Sequence, residues 1–199
     1  VDANTVALVG SAGSYPHGLI DPIDQLSDLA VERGLNLHVD GCLGGFVLAW
    51  GESVGVPVPV FDFRLPGVTS ISADTHKYGF GLKGSSVLLY RDPELRRRQY
   101  FMKSDWPGGF YTSPGMSGSR SGGIIASAWA AMVTLGREGY RAIAADIFST
   151  AARLVEVVRA TPDLEVLGDP VFNVAFTTSA SGGLDIFHVN DHLAAKGWR

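Results

Sequence analysis

Apolar residues fall in short runs of four to six over the first half of this chain and at helical spacing over long stretches of the second. Residues 5–9 read as a buried strand, followed by a Gly/Ser/Pro loop and a helix over 22–33 that Gly34 stops. Residues 35–39 alternate and read as the next strand, and strand, helix, strand in that order argues for a right-handed crossover in a mostly parallel sheet. Strands are also expected at 68–72 and 85–90. Asp92 and Pro93 suit the cap and first turn of a short helix running through Arg98. Residues 126–135 and 140–159 carry apolar positions at helical spacing, and 164–166 and 172–176 read as strands of a separate, smaller sheet. The longest apolar stretch, 122–135, is interrupted by Ser127 and Thr134 and falls short of the roughly 20 residues a bilayer requires, so it is expected to be a buried helix. The fold class is α/β.

Composition narrows the reading. A chain of 199 residues that is 46% hydrophobic can bury a substantial core. Its net charge of −4 gives no electrostatic reason to expect nucleic acid or an anionic membrane surface as a partner. The single cysteine excludes an internal disulfide and suits a reducing compartment, so a cytoplasmic location is expected. No secretory signal follows Val1; the lack of an initiator methionine there and the amphipathic run ending at Arg199 give both termini the look of cuts.

Two features point to chemistry. Residues 35–40 place His38 and Asp40 on one side of a strand, with Asp40 at its C-terminal end, where ligands bind in open α/β sheets. Lys77 follows the β-branched run of the next strand, between His76 and Gly79, where an amine can face a pocket. A carboxylate that holds a pyridine nitrogen protonated and a lysine that bonds an aldehyde are the two protein groups that pyridoxal 5′-phosphate chemistry needs most. Each has a plainer reading. Most strand-end aspartates cap the next loop, and most lysines are solvated. His38 with Asp40 and Asp74 with His76 resemble metal-ligand pairs, but Lys77 would set a competing positive charge beside such a site, and no metal is expected. Arg96, Arg97 and Arg98 read as a solvated face, and the Gly118-Ser119-Arg120 turn as a helix start suited to phosphate.

Five blocks together resemble the sphingosine-1-phosphate lyase family, within the pyridoxal-phosphate enzymes that include the group II decarboxylases. They are Gly13 to Pro22, His38-Val39-Asp40-Gly41-Cys42-Leu43-Gly44-Gly45-Phe46, Ser70 to Gly79, Lys83-Gly84-Ser85-Ser86, and Asp105 to Tyr111 running on to Gly118-Ser119-Arg120. The resemblance implies the large domain of a fold type I PLP-dependent transferase, a mostly parallel sheet with helices on both faces. Residues 1–138 would be its second part, 139–160 a linking helix, and 161–199 the start of a small α+β C-terminal domain. The glycine-rich phosphate segment and the ring-stacking aromatic would precede Val1.

Residue by residue, the resemblance implies that Lys77 bonds the cofactor, Asp40 pairs with its ring nitrogen, Cys42 lies against one ring face and His76 lies near the cofactor. Lys83 would act near the substrate phosphate or in proton transfer, and Gly118 and Ser119 would reach a partner subunit's site in a homodimer. The chain departs from the family at Gly81-Leu82, Gly115 and Gly41. The implied activity is cleavage of the C2–C3 bond of a phosphorylated long-chain base, giving a fatty aldehyde and phosphoethanolamine. A decarboxylase on the same scaffold and a non-catalytic remnant are the alternatives.

Overall fold

The computed structural model describes residues 1–180 and 182–198. Its principal sheet has four strands in the order β1 (Ala7–Ser11), β2 (Asn36–Asp40), β3 (Val68–Ala73) and β4 (Val87–Tyr90). The first three run parallel and β4 returns antiparallel to β3. Helix α1 (Ile23–Arg33) makes the crossover from β1 to β2 and packs on both strands; Gly34, at φ 63°, closes it with its N–H on the carbonyls of Ala30 and Val31. A short helix α2 (Gly45–Leu48) and a 3₁₀ turn (Glu52–Val54) fill the connection to β3. α2 starts where β2 leaves the sheet, and a Cβ on Gly44 would stand 2.4 Å from the Ala12 carbonyl oxygen, so only glycine lets these segments meet.

Alternation along the central strands decides what they bury. Leu37 and Val39 of β2 are fully buried, with Ile71 of β3 opposite Val39. They pack with Ile23 and Ala30 of α1 and with Val47, Leu48, Phe61, Ala144, Phe148 and Phe172 in one core. Each large apolar side chain buried this fully contributes about 1.5–3 kcal/mol. The residues between them, His38 and Asp40 on β2 and Ser70 and Ser72 on β3, pair across the strands and lie on the other side of the pleat.

After β4 come α3 (Pro93–Arg97), the hairpin of β5 (Phe101–Lys103) and β6 (Tyr111–Ser113), and α4 (Gly122–Ala160). Asp92 caps α3 by accepting from the Leu95 N–H at 2.9 Å, as expected from sequence. The β5–β6 hairpin has no counterpart among the expected elements. The two helices expected at 126–135 and 140–159 are both present as the two halves of α4, separated by a kink at Gly136, whose φ of 58° and ψ of −175° are non-helical. Its first half corrects the expectation of a buried helix: Ile125, Trp129 and Val133 are more than half exposed, and only Ala128 is buried there. The apolar face exists, but nothing among the described residues covers it.

A second antiparallel pair joins β7 (Leu164–Val166) to β8 (Phe176–Thr178). β7 matches its expected position, whereas the strand expected at 172–176 begins at its last residue. Phe172 turns into the core instead, edge-on to Tyr78 at 5.8 Å, which removes it from the strand. Helix α5 (Ile186–Ala195) follows, capped by the Asp185 carboxylate. No helix among the described residues is long and apolar enough to cross a membrane.

Candidate functional site

The site forms where β2 and β3 end. β2 stops at Asp40, and the chain turns at once, with the Cys42 N–H donating to Asp40 Oδ1 at 2.9 Å. β3 stops at Ala73, and residues 74–81 form a compact turn. In it the Lys77 N–H meets the Asp74 carbonyl, the Phe80 N–H the Lys77 carbonyl, and the Gly81 N–H the Thr75 carbonyl. The two turns are joined by the Asp74 N–H, which donates to the Cys42 carbonyl at 3.2 Å. Phe80 takes φ 59°, a left-handed conformation uncommon for a bulky residue, held in place by its neighbours.

Three further anchors hold the turn. The buried Tyr140 of α4 reaches across to donate its hydroxyl to the Gly79 carbonyl at 2.8 Å, and its ring stacks on Trp50 with centroids 6.3 Å apart. Burial pushes the Tyr140 phenol above its ordinary pKa, so at neutral pH it is a donor. The Thr75 hydroxyl and His76 Nδ1 both lie 2.9 Å from the Ser85 carbonyl. A carbonyl only accepts, so Nδ1 carries the hydrogen and Nε2 faces the Asp74 carboxylate at 3.8 Å.

Lys77 is 29% exposed, its Nζ 2.9 Å from Asp74 Oδ2. Burial works against its charge, but hydrogen bonds to Asp74 and to the Cys42 thiol outweigh that and raise its pKa above the usual lysine value. Asp74 is the converse. Burial opposes its charge, yet hydrogen bonds from Ser86 and Lys77, with the charges nearby, hold its carboxyl below the ordinary range. Cys42 is half-buried, and burial, the largest influence, pushes its thiol pKa up. It therefore stays a thiol at neutral pH, with Lys77 and Asp40 acting on it in opposite senses. Asp40 is also held below the usual range. Burial resists its ionisation, and the Cys42 N–H, the Cys42 thiol, the Ser72 hydroxyl and the neighbouring His38 overcome it.

The structure thus brings Asp40, Cys42 and Lys77 together on two joined turns, with His76 beside Lys77. Beyond His76 opens a cleft of about 500 Å³ lined also by Ser85, Ser86, Ser117, Arg120 and Ser121. Gly118, at φ 63°, turns the loop ahead of α4, and Ser119 is exposed to solvent. Neither is among the residues lining that cleft. Lys83 is exposed and forms no ion pair among the described residues, so it stands apart from Lys77. Among the described residues no group of three or more His, Cys, Asp or Glu is arranged to hold a metal ion. Sequence reasoning missed Asp74 as the partner of Lys77, although spacing i, i+3 within a turn offers that pairing. It also missed Tyr140, which no local pattern ties to Gly79.

Comparison with known proteins places this geometry. Residues 2–179 match the model of the pyridoxal-dependent decarboxylase conserved domain. All of the chain aligns with the sphingosine-1-phosphate lyase of Arabidopsis thaliana at 48% identity and with that of Dictyostelium discoideum at 43%, covering 36% and 37% of those proteins. The chain therefore spans little more than a third of the length of the curated relatives it matches. Among solved structures, the sphingosine-1-phosphate lyase of Burkholderia pseudomallei superposes with a TM-score of 0.94 at 62% identity, over 100% of this chain and 45% of that one. Glutamate decarboxylase of Lactobacillus brevis superposes at 0.83 with 24% identity over 46% of its chain, a likeness of fold.

Proposed function

The chain belongs to the pyridoxal-dependent decarboxylase family, and from that premise we propose that the protein containing it is a lyase that cleaves the C2–C3 bond of a phosphorylated long-chain base. The products are a fatty aldehyde and phosphoethanolamine. The observation that carries the reading is that a strand-end carboxylate held ionised and a lysine amine stand on the two turns that the Asp74 N–H and the Cys42 carbonyl join at 3.2 Å. That donor set fits pyridoxal 5′-phosphate, which needs a primary amine for its aldehyde and an anion for its ring nitrogen. Lys77 and Asp40 are assigned those two tasks, with Cys42 and His76 beside the ring. When bound, the cofactor supplies an electron sink for the bond that breaks.

The residues of this chain do the rest. Asp40 keeps a proton on the ring nitrogen by remaining charged. Asp74 holds the proton of the Lys77 amine whenever that amine is free, and Tyr140 fixes the turn that carries it. Lys83 is assigned to the substrate phosphate or to proton transfer, and its exposure leaves it able to swing. Gly118 and Ser119 are assigned to the partner's site in a homodimer, which suits their place on the loop ahead of α4. A cytoplasmic location and the division into residues 1–138, 139–160 and 161–199 belong to the same proposal.

A decarboxylase is the second reading, favoured by the shared fold of the glutamate enzyme. Identity of 62% to a lyase against 24% to that decarboxylase weighs for the lyase. The test is borohydride reduction of the full-length protein followed by peptide mass spectrometry, then supply of both substrate classes. A pyridoxyl adduct on Lys77, absent in Lys77→Ala, and aldehyde released from a phosphorylated sphingoid base are expected. Carbon dioxide from an amino acid with no aldehyde would establish the second reading. An adduct found elsewhere, or none, would remove the enzymatic assignment and leave a fold without its chemistry.

A further inference from the structure

His38 has no task in the reading above, yet it is tied to Asp40 through β3. Its Nδ1 lies 2.8 Å from Ser70 Oγ and its Nε2 3.2 Å from Ser72 Oγ, and Ser72 Oγ lies 3.3 Å from Asp40 Oδ1. These four residues are the pairs that strand register sets opposite each other, His38 with Ser70 and Asp40 with Ser72. Counting hydrogens allows two arrangements. A serine hydroxyl has one hydrogen to give, and an ionised carboxylate only accepts. If Ser72 gives its hydrogen to Asp40, Ser72 must accept from His38 Nε2–H, and Nδ1 must accept from Ser70. In the reverse arrangement Ser72 donates to Nε2 and Asp40 loses a donor.

A hydrogen bond to a charged acceptor is roughly twice as strong as one between neutral groups. The arrangement that ends on Asp40 is therefore the stable one. His38 is neutral within it, because burial lowers its pKa more than the Asp40 charge restores it. The titratable groups facing Asp40 are His38 from the same strand and Cys42 from the next turn, with Lys77 reached through the thiol.

We propose that His38, as the Nε2–H tautomer, is a positioning residue: with Ser70 and Ser72 it forms a one-directional hydrogen-bond relay that delivers the Ser72 hydrogen to Asp40 and keeps that carboxylate ionised. The relay belongs to this chain with or without cofactor. Its consequence, a ring nitrogen whose pH midpoint the relay lowers by sharing the Asp40 charge, rests on the proposed function.

Two measurements on the full-length protein separate these. In cofactor-free protein labelled with ¹⁵N-histidine, and assigned with His38→Gln, the ring shifts should show Nε2 protonated and Nδ1 bare at neutral pH. An Nδ1–H tautomer there overturns the relay. In protein loaded with ¹⁵N-labelled pyridoxal phosphate, the pH midpoint of the ring nitrogen should rise by about one unit, a tenfold change, in Ser72→Ala and His38→Leu, because Asp40 then shares its charge with one donor fewer. His38→Gln, whose amide N–H reaches the Nε2 position, should restore it. An unchanged midpoint in Ser72→Ala refutes the tuning even if His38→Leu does not fold. Failure of the cofactor to load refutes the proposed function instead, and the tautomer still decides the relay.

Discussion

Replacing Asp74 with asparagine removes one charge from the partner of Lys77 and leaves the shape of the turn. Asp74 Oδ2 lies 2.9 Å from Lys77 Nζ, and the two side chains are 14% and 29% exposed, so water screens the pair only partly. A hydrogen bond to a charged partner is worth about 1.5–3 kcal/mol, which corresponds to about one to two pKa units on the lysine. The sign follows from the direction of the shift. Asp74 favours the ammonium form, so its loss lowers the Lys77 pKa, while the amide oxygen of the substituted asparagine still accepts from Ser86. Only the neutral amine attacks an aldehyde. Below the lysine pKa the rate at which Lys77 bonds pyridoxal phosphate should therefore rise about tenfold or more in Asp74→Asn. The assay is the absorbance change on mixing cofactor-free protein with pyridoxal phosphate across a pH series, with peptide mass spectrometry of the reduced adduct to locate it. A pH midpoint identical to that of the unaltered protein would refute the ion pair as the source of the raised pKa.

Tyr140→Phe should leave the Gly79 carbonyl without its 2.8 Å donor and destabilise the protein by about 1–3 kcal/mol, read as a lower denaturant midpoint at unchanged slope. Ser27 is fully buried on α1, and its Oγ accepts from the Gly67 N–H at 2.9 Å, so Ser27→Ala should cost a similar amount. Asp40, Asp62 and Asp74 all titrate below the ordinary aspartate value of 3.8. Their contribution to stability is thus complete above that value and lost as pH falls through their lower folded values. Thermal midpoints measured downward from neutral pH should decline in that window, and less steeply in Asp74→Asn, whose own carboxylate is gone.

Local patterning determined much of this molecule. Alternation in residues 36–40 requires that Leu37 and Val39 share one side of β2 and that His38 and Asp40 share the other, because strand side chains repeat every two residues. Gly34 ends α1 and Asp92 starts α3 for reasons held within a few bonds of each residue. The five blocks also carried the family and its cofactor, since the residues that bond a cofactor sit in short, ordered motifs.

What depends on distant segments could not be read there. Phe172 leaves its expected strand because Tyr78 and the core receive its ring, a contact between segments far apart along the chain. The apolar run 122–135 has the composition of a buried helix, but burial is decided by what lies against it, and Ile125, Trp129 and Val133 face outward among the described residues. Sequence placed Asp40 and Lys77 at the ends of successive strands, whereas the backbone bond that joins their turns, the carboxylate that charges Lys77 and the serines that join His38 to Asp40 follow from register and turn geometry. Those are properties of paired strands, and pairing is settled only when the core closes.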